Sequence, residues 1–327
     1  MTQGGLALLC GLSLLAPLAC GGGPPPRPPE DAYAEPHWQD VFETTPELLV
    51  VVRARAARQD RVYGPLVRHA LEVARDQGNA VASTRTLDAM SDAEEVVVGL
   101  RPGNERDPGE LVLVARGVRA DVDPGKLVDT DGAALWATGP TGRVRELVRD
   151  RDEQGHPVGA SLFELPGRTW VIAQGDARTR AREAFAHPVN RPAMRLDPTA
   201  LAIIRIDGPS LVSHVRALQD LGGLAAVGHH LRSVTFVLPG GERAVRATFA
   251  YAGDDDAAVA EVAALEAVRV AARAGDKPAW LPWLAAAHVD RGRDRTVVLS
   301  APLPPQLVDG LLRAGSAPLE GDLPRSP

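Results

Sequence analysis

Leu100-Arg101-Pro102-Gly103-Asn104-Glu105-Arg106 and Val237-Leu238-Pro239-Gly240-Gly241-Glu242-Arg243 are two versions of one turn. Each follows a β-rich run, Glu95-Val96-Val97-Val98-Gly99 in the first case and Ser233-Val234-Thr235-Phe236 in the second. Pro-Gly followed by Asn or Gly supplies the backbone geometry that joins neighbouring antiparallel strands. A second strand is expected after each turn, over 110–116 and 243–251. In the latter, Val245, Ala247, Phe249 and Tyr251 share one face while Arg246 and Thr248 take the other, the period of two that marks a strand.

Matched segments continue outward from the turns. Pro46-Glu47-Leu48-Leu49-Val50-Val51-Val52-Arg53 resembles Pro198-Thr199-Ala200-Leu201-Ala202-Ile203-Ile204-Arg205, and both suit a central strand. Gly167-Arg168-Thr169-Trp170-Val171-Ile172 resembles Asp294-Arg295-Thr296-Val297-Val298-Leu299. The offset between partners shrinks along the chain, so the first copy is the longer. Its extra residues lie between Asp121 and Pro166, where strands are expected over 134–138, 144–149 and 160–165, the middle one with a short helix as its alternative.

Helices fit between the strands. Tyr63, Leu66, Val67, Ala70, Leu71 and Ala74 form one apolar stripe at helical spacing, with Gly78 as a stop. Leu211, Val212, Val215 and Leu218 form another, between Pro209 and Gly222-Gly223. A long Ala-rich helix is expected over 256–274, capped by Asp254 or Asp255, and closing helices over 176–186 and 305–314. The expectation is an α+β protein of two related antiparallel-sheet units, 46–189 and 193–315, with helices packed on one face. Asn190-Arg191-Pro192 links the units, and residues 316–327 form a loose tail. The second unit reads β-α-β-β-α-β-β-α, whose first six elements have the order of a ferredoxin-like core.

The N-terminus carries an address. Residues 1–19 contain no charged side chain, and 6–15 form a ten-residue apolar core, too short for the ~20 residues of a membrane span. Leu15-Ala16-Pro17-Leu18-Ala19-Cys20 resembles the lipobox of a bacterial lipoprotein signal peptide. It departs from that pattern in lacking an early Lys or Arg and in placing Leu18 one position late, after Pro17. The resemblance implies removal of residues 1–19, lipidation of Cys20, and a membrane partner held through the acyl chains. Gly21 after the cysteine implies, by the same resemblance, sorting to the outer membrane. Cys10 would leave with the signal, so the mature body would hold no disulfide and no cysteine metal site. The anchor and linker span 20–45, where the Gly21-Gly22-Gly23-Pro24-Pro25-Pro26-Arg27-Pro28-Pro29 run favours an extended tether.

Composition narrows the function classes. The 327 residues carry 36 basic and 42 acidic side chains, a net charge of −6, which argues against nucleic acid as a partner. Aromatic content is only 4%, too low for a stacking platform. The only lysines are Lys126 and Lys277, so the cationic surface is built of arginine.

Motifs for catalysis are absent: no Gly-x-Ser-x-Gly elbow, Walker loop, His-Glu-x-x-His helix or Ser-x-x-Lys pair occurs. Asp129-Thr130-Asp131-Gly132 begins like a calcium loop but lacks the required Gly and Glu further on, and reads as a turn. His229-His230 would point to opposite faces on a strand, and no cysteine or spaced carboxylate completes a metal site with them. Asp254-Asp255-Asp256 suits a helix N-terminus. Trp280 and Trp283 form either an exposed docking patch for an envelope partner or part of the packing around the last hairpin.

No cofactor, metal or catalytic residue is assigned. The leading expectation is a non-enzymatic envelope module for binding or scaffolding. The alternatives are an envelope hydrolase assembled from His229, His230 and the Asp254–Asp256 cluster, which requires a histidine hydrogen-bonded to a carboxylate in a deep pocket, and a purely structural lipoprotein.

Overall fold

The computed structural model describes residues 35–42, 46–65, 83–101, 109–129, 131–151, 157–188, 199–209, 211, 228, 230–274 and 284–303. The chain divides into Met1–Ala34 and Glu35–Pro327, and every described residue lies in the second part. The expected helices over 63–74, 211–218 and 305–314 fall wholly or largely outside the described residues, as do the first Pro-Gly turn, the linker at 190–192 and the tail.

Twelve described strands form one sheet. They are β1 (Leu48–Val52), β2 (Glu95–Arg101), β3 (Glu110–Arg116), β4 (Ala137–Thr138), β5 (Arg145–Arg151), β6 (Pro157–Leu165), β7 (Thr169–Gln174), β8 (Ala200–Asp207), β9 (Leu231–Pro239), β10 (Ala244–Tyr251), β11 (His288–Arg291) and β12 (Thr296–Pro302). Their spatial order is β11-β12-β10-β9-β8-β1-β2-β3-β7-β6-β5-β4. Four described α-helices accompany them: α1 (Ala54–Gln59), α2 (Thr84–Met90), α3 (Asp176–Ala186) and α4 (Asp254–Ala274).

Every neighbouring pair is antiparallel. The ferredoxin-like order is therefore not the observed pairing. That arrangement splits a βαβ unit, which needs parallel strands, whereas here β8 pairs β9 and β9 pairs β10 as a meander. The two halves meet along β1 and β8, with Val51 opposite Ile203. These are the sixth residues of the two matched octapeptides. Moving outward from the joint, one meets β2, β3 and β7 on one side and β9, β10 and β12 on the other. The extra residues of the first half do widen the sheet, as β4, β5 and β6, and 145–151 is strand rather than helix.

The expectation that helices cover one face needs correction in the first half. Val112, Val114, Val171, Ala173 and Phe163 point to one side, where they pack with Trp38 and with Ala177, Ala181 and Phe185 of α3. Leu147, Ala160, Leu162, Trp170 and Ile172 point to the other, under Met90 of α2 and Trp136. Burial on both sides explains why Trp170-Val171-Ile172-Ala173 is apolar without alternation. Phe163 and Phe185 meet edge to face with centroids 5.2 Å apart. Ser83 caps α2, its Oγ accepting from the Thr86 N–H at 3.2 Å, and Trp136 Nε1 donates to Thr86 Oγ1 at 3.1 Å.

Helix α4 covers β9, β10 and β12 through Ala257, Ala260 and Ala271, against Val234, Tyr251, Val297 and Leu299. Alanine lets the helix lie close to the sheet, and its larger Val259, Val262 and Val270 face outward. Asp254, Asp255 and Asp256 occupy its first turn, where carboxylates are stabilised by the helix dipole.

A second tie joins the halves beside the β1–β8 seam. Asp60, just after α1, accepts from the N–H groups of Val62 (2.7 Å), Tyr63 (2.9 Å) and Gly241 (2.8 Å). Burial opposes its ionised form, but these three donors hold its carboxyl below the usual range. Tyr63 Oη donates to the Ala244 carbonyl at 2.7 Å. Gly241 sits at φ +75°, the left-handed position that the Gly-Gly of this turn supplies.

Candidate binding cleft

An open cleft of about 540 Å³ lies where the end of β1, helix α1, the facing ends of β2 and β3, and the β6–β7 turn converge. Backbone hydrogen bonds set its walls. Arg53 N–H donates to the Leu201 carbonyl at 2.9 Å, Glu94 N–H to Arg116 at 2.8 Å, and Val118 N–H to Arg168 at 3.1 Å. Arg58 fastens α1 by donating to the carbonyls of Ser91 and Ala93.

Four arginines line the cleft, Arg53, Arg55, Arg116 and Arg168, against two glutamates, Glu94 and Glu95. Arg55 pairs with Glu94 at 3.1 Å and Arg116 with Glu95 at 2.7 Å. The first pair is about half exposed on both sides, so it contributes little to folding. His37 lies within electrostatic reach of Arg116 and Glu95. Burial holds its pKa below the ordinary value, and Arg116 adds to that against the opposing pull of Asp40 and Glu95.

The turn carrying Arg168 is strained. Gly167 has φ +72° and Arg168 has φ +58°. Left-handed backbone is natural for the first and uncommon for the second. The matched hairpin of the second half repeats the feature, with Arg295 at φ +62°. There the guanidinium is turned back on its own half, donating to the Ala252 carbonyl at 3.1 Å.

A smaller pocket, about 200 Å³, opens beside α3 and is lined by Val144, Phe163, Phe185, Glu146 and Arg182 among others. Glu146 is buried and accepts from Arg182 Nε at 2.9 Å, Arg182 Nη2 at 2.6 Å and Ser161 Oγ at 2.6 Å. Ser161 Oγ in turn accepts from Arg178 Nε at 2.6 Å. Hydrogen bonding to Glu146 raises the Arg182 pKa. Ser161 is fully buried and its carboxylate neighbour is saturated with donors, so the cluster fastens α3 to the sheet and offers no accessible nucleophile.

Of the residues singled out in the sequence, Cys20, His229, Trp280 and Trp283 lie outside the described residues. His230 is described. It precedes β9 at φ +55°, is half-exposed, and its Nδ1 stands 3.9 Å from Asp256 Oδ2. That distance exceeds hydrogen-bond reach, and His230 lines neither cleft. The histidine–carboxylate hydrogen bond asked of a hydrolase is not formed between His230 and Asp256. Among the described residues, no group of three or more His, Cys, Asp or Glu side chains could hold a metal ion. No described helix is long and apolar enough to cross a membrane.

The arginine cleft carries no motif. Its one local signal is Arg53-Ala54-Arg55 at the end of an apolar strand. Arg116 and Arg168 join it only through the β3–β7 pairing, in which Arg116 stands opposite Thr169.

No protein-family model matches the chain, and no curated protein matches it. Among solved structures it is similar to TP0453 in three crystal forms. Form I aligns with a TM-score of 0.46 and 9% identity over 87% of this chain and 100% of the other. Form IV gives 0.43 and 9% over 87% and 96%. Form III gives 0.40 and 10% over 84% and 97%.

Proposed function

We propose that this chain is an exported, lipid-anchored protein of the bacterial envelope whose body is a non-enzymatic binding or scaffolding module of two related α+β units. The carrying observation is Cys20, set between the apolar core at 6–15 and the Gly/Pro run at 21–29. A cysteine acylated at both sulfur and amine gives stable attachment where one chain would not. The residues ahead of the body, 21–34, span at most roughly 43 Å when fully extended at ~3.1 Å per residue, enough to hold the body clear of a bilayer surface; Trp38 and Val41, within the expected 20–45 linker, are instead buried in the core.

Duplication is supported by the joint. If one unit gave rise to the other, a two-fold relation would pair equivalent strands antiparallel about equivalent residues. Val51 and Ile203 stand in that relation, with the strands beyond them in matching order. Binding is supported by the open cleft beside this joint, and scaffolding by the breadth of the sheet.

Fractionation tests the anchor. Wild-type chain is expected in the membrane fraction and to be released by detergent but not by salt. Cys20→Ala is expected to retain the uncleaved signal and to lack acyl chains. Wild-type protein recovered in the soluble fraction would remove the anchoring half of the proposal.

A further inference from the structure

We infer that the cleft between α1 and the β6–β7 turn is a binding site for a small, multiply charged anion bearing carboxylate or phosphate groups. This deepens the reading of the body as a binding module. Its charge is the first reason. On a chain of net charge −6, four arginines and two glutamates converge here, a surplus of two positive charges. A planar guanidinium offers five N–H donors in a fork that matches the oxygens of a carboxylate or phosphate. The exposed Arg55–Glu94 pair occupies only part of that capacity.

Backbone geometry is the second reason. Arg168 holds a left-handed conformation that glycine would adopt without cost, and it is exposed at the cleft rim. Strain retained at an open site points to a role for the side chain. The Arg295 hairpin sharpens the contrast. There the guanidinium donates to the Ala252 carbonyl, whereas Arg168 is among the residues that line the cleft. Volume is the third reason: about 540 Å³ lies in the range that small-molecule sites occupy.

The test is calorimetric titration of the full chain at fixed ionic strength with inorganic phosphate, citrate and glycerol 3-phosphate, against sodium chloride as blank. Saturable binding of at least one of the three is expected, weakening as salt is raised. Glycerol 3-phosphate stronger than inorganic phosphate assigns the site to a phosphoester or lipid headgroup. The reverse order assigns it to a free anion, and citrate strongest assigns it to a carboxylate ligand. Each of these orders supports the site.

Arg168→Gly is the decisive variant, because it relaxes the turn while removing the guanidinium. It is expected to raise Tm slightly and to weaken binding about tenfold, the loss of one charge-assisted contact. Arg269→Ala, the same charge change on the exposed face of α4, is expected to leave binding within about twofold. No saturable binding by the wild type, or equal losses in Arg168→Gly and Arg269→Ala, would overturn the site. Neither result touches the anchor at Cys20, which fractionation tests separately.

Discussion

Phe163→Ala is expected to lower the stability of the body by about 4 kcal/mol, in the usual range for deleting a buried aromatic ring. Phe163 is 2% exposed and sits in β6 at the centre of the core beneath α3. Its ring meets Phe185 edge to face, and Ala177 and Ala181 continue the same face of the helix. Truncation opens a cavity between a sheet held on both faces and a helix fastened by Arg182, so neither wall can collapse to fill it. Urea unfolding should show a lower midpoint with an unchanged slope. Phe163→Leu, which keeps most of the volume, should cost less than half as much. A loss below about 1 kcal/mol for the alanine variant would mean that α3 does not close the core as described.

Arg182→Ala is expected to cost about 3 kcal/mol, because it strands a buried carboxylate. Glu146 is only 5% exposed, and Arg182 supplies most of its donors. The complementary Glu146→Ala leaves Arg182 with a route to water, since that side chain is 37% exposed, and should cost less. The double variant should be more stable than Arg182→Ala alone, since no unpaired charge remains buried. A double-mutant cycle by chemical denaturation reads this directly. A double variant less stable than Arg182→Ala would show that Glu146 contributes through something other than this pair.

Much of the architecture was legible in the sequence, for local reasons. The alternation in 245–251 specified β10, and the matched octapeptides specified β1 and β8. Helix α3 spans Asp176–Ala186, the range expected of a closing helix. Helix α4 begins two residues earlier than expected, placing Asp254 and Asp255 inside its first turn rather than before it. Short helices α1 and α2 gave too few residues for a periodic signal.

What escaped was non-local. The pairing of β1 with β8 joins segments far apart in the chain, and a helix-strand order written along the chain equally suggested a ferredoxin-like arrangement. The second core layer under Trp136 and Met90 was hidden because a strand buried on both faces loses its alternation. The arginine cleft was hidden for a related reason. Its four arginines come from three separate stretches of chain, and an arginine-rich composition supplies no contrast against which they stand out. By contrast, His229-His230 drew notice by adjacency, which is a property of the chain and not of the folded surface.

The central claim is that one cysteine is converted into a membrane anchor. Intact-mass measurement of the polypeptide purified from its native envelope tests it most directly. The account predicts a chain that begins at Cys20 and is heavier than the bare residues 20–327 by a diacylglyceryl group and an amide-linked fatty acid. A chain that still begins at Met1, or one that carries no lipid mass, would contradict it.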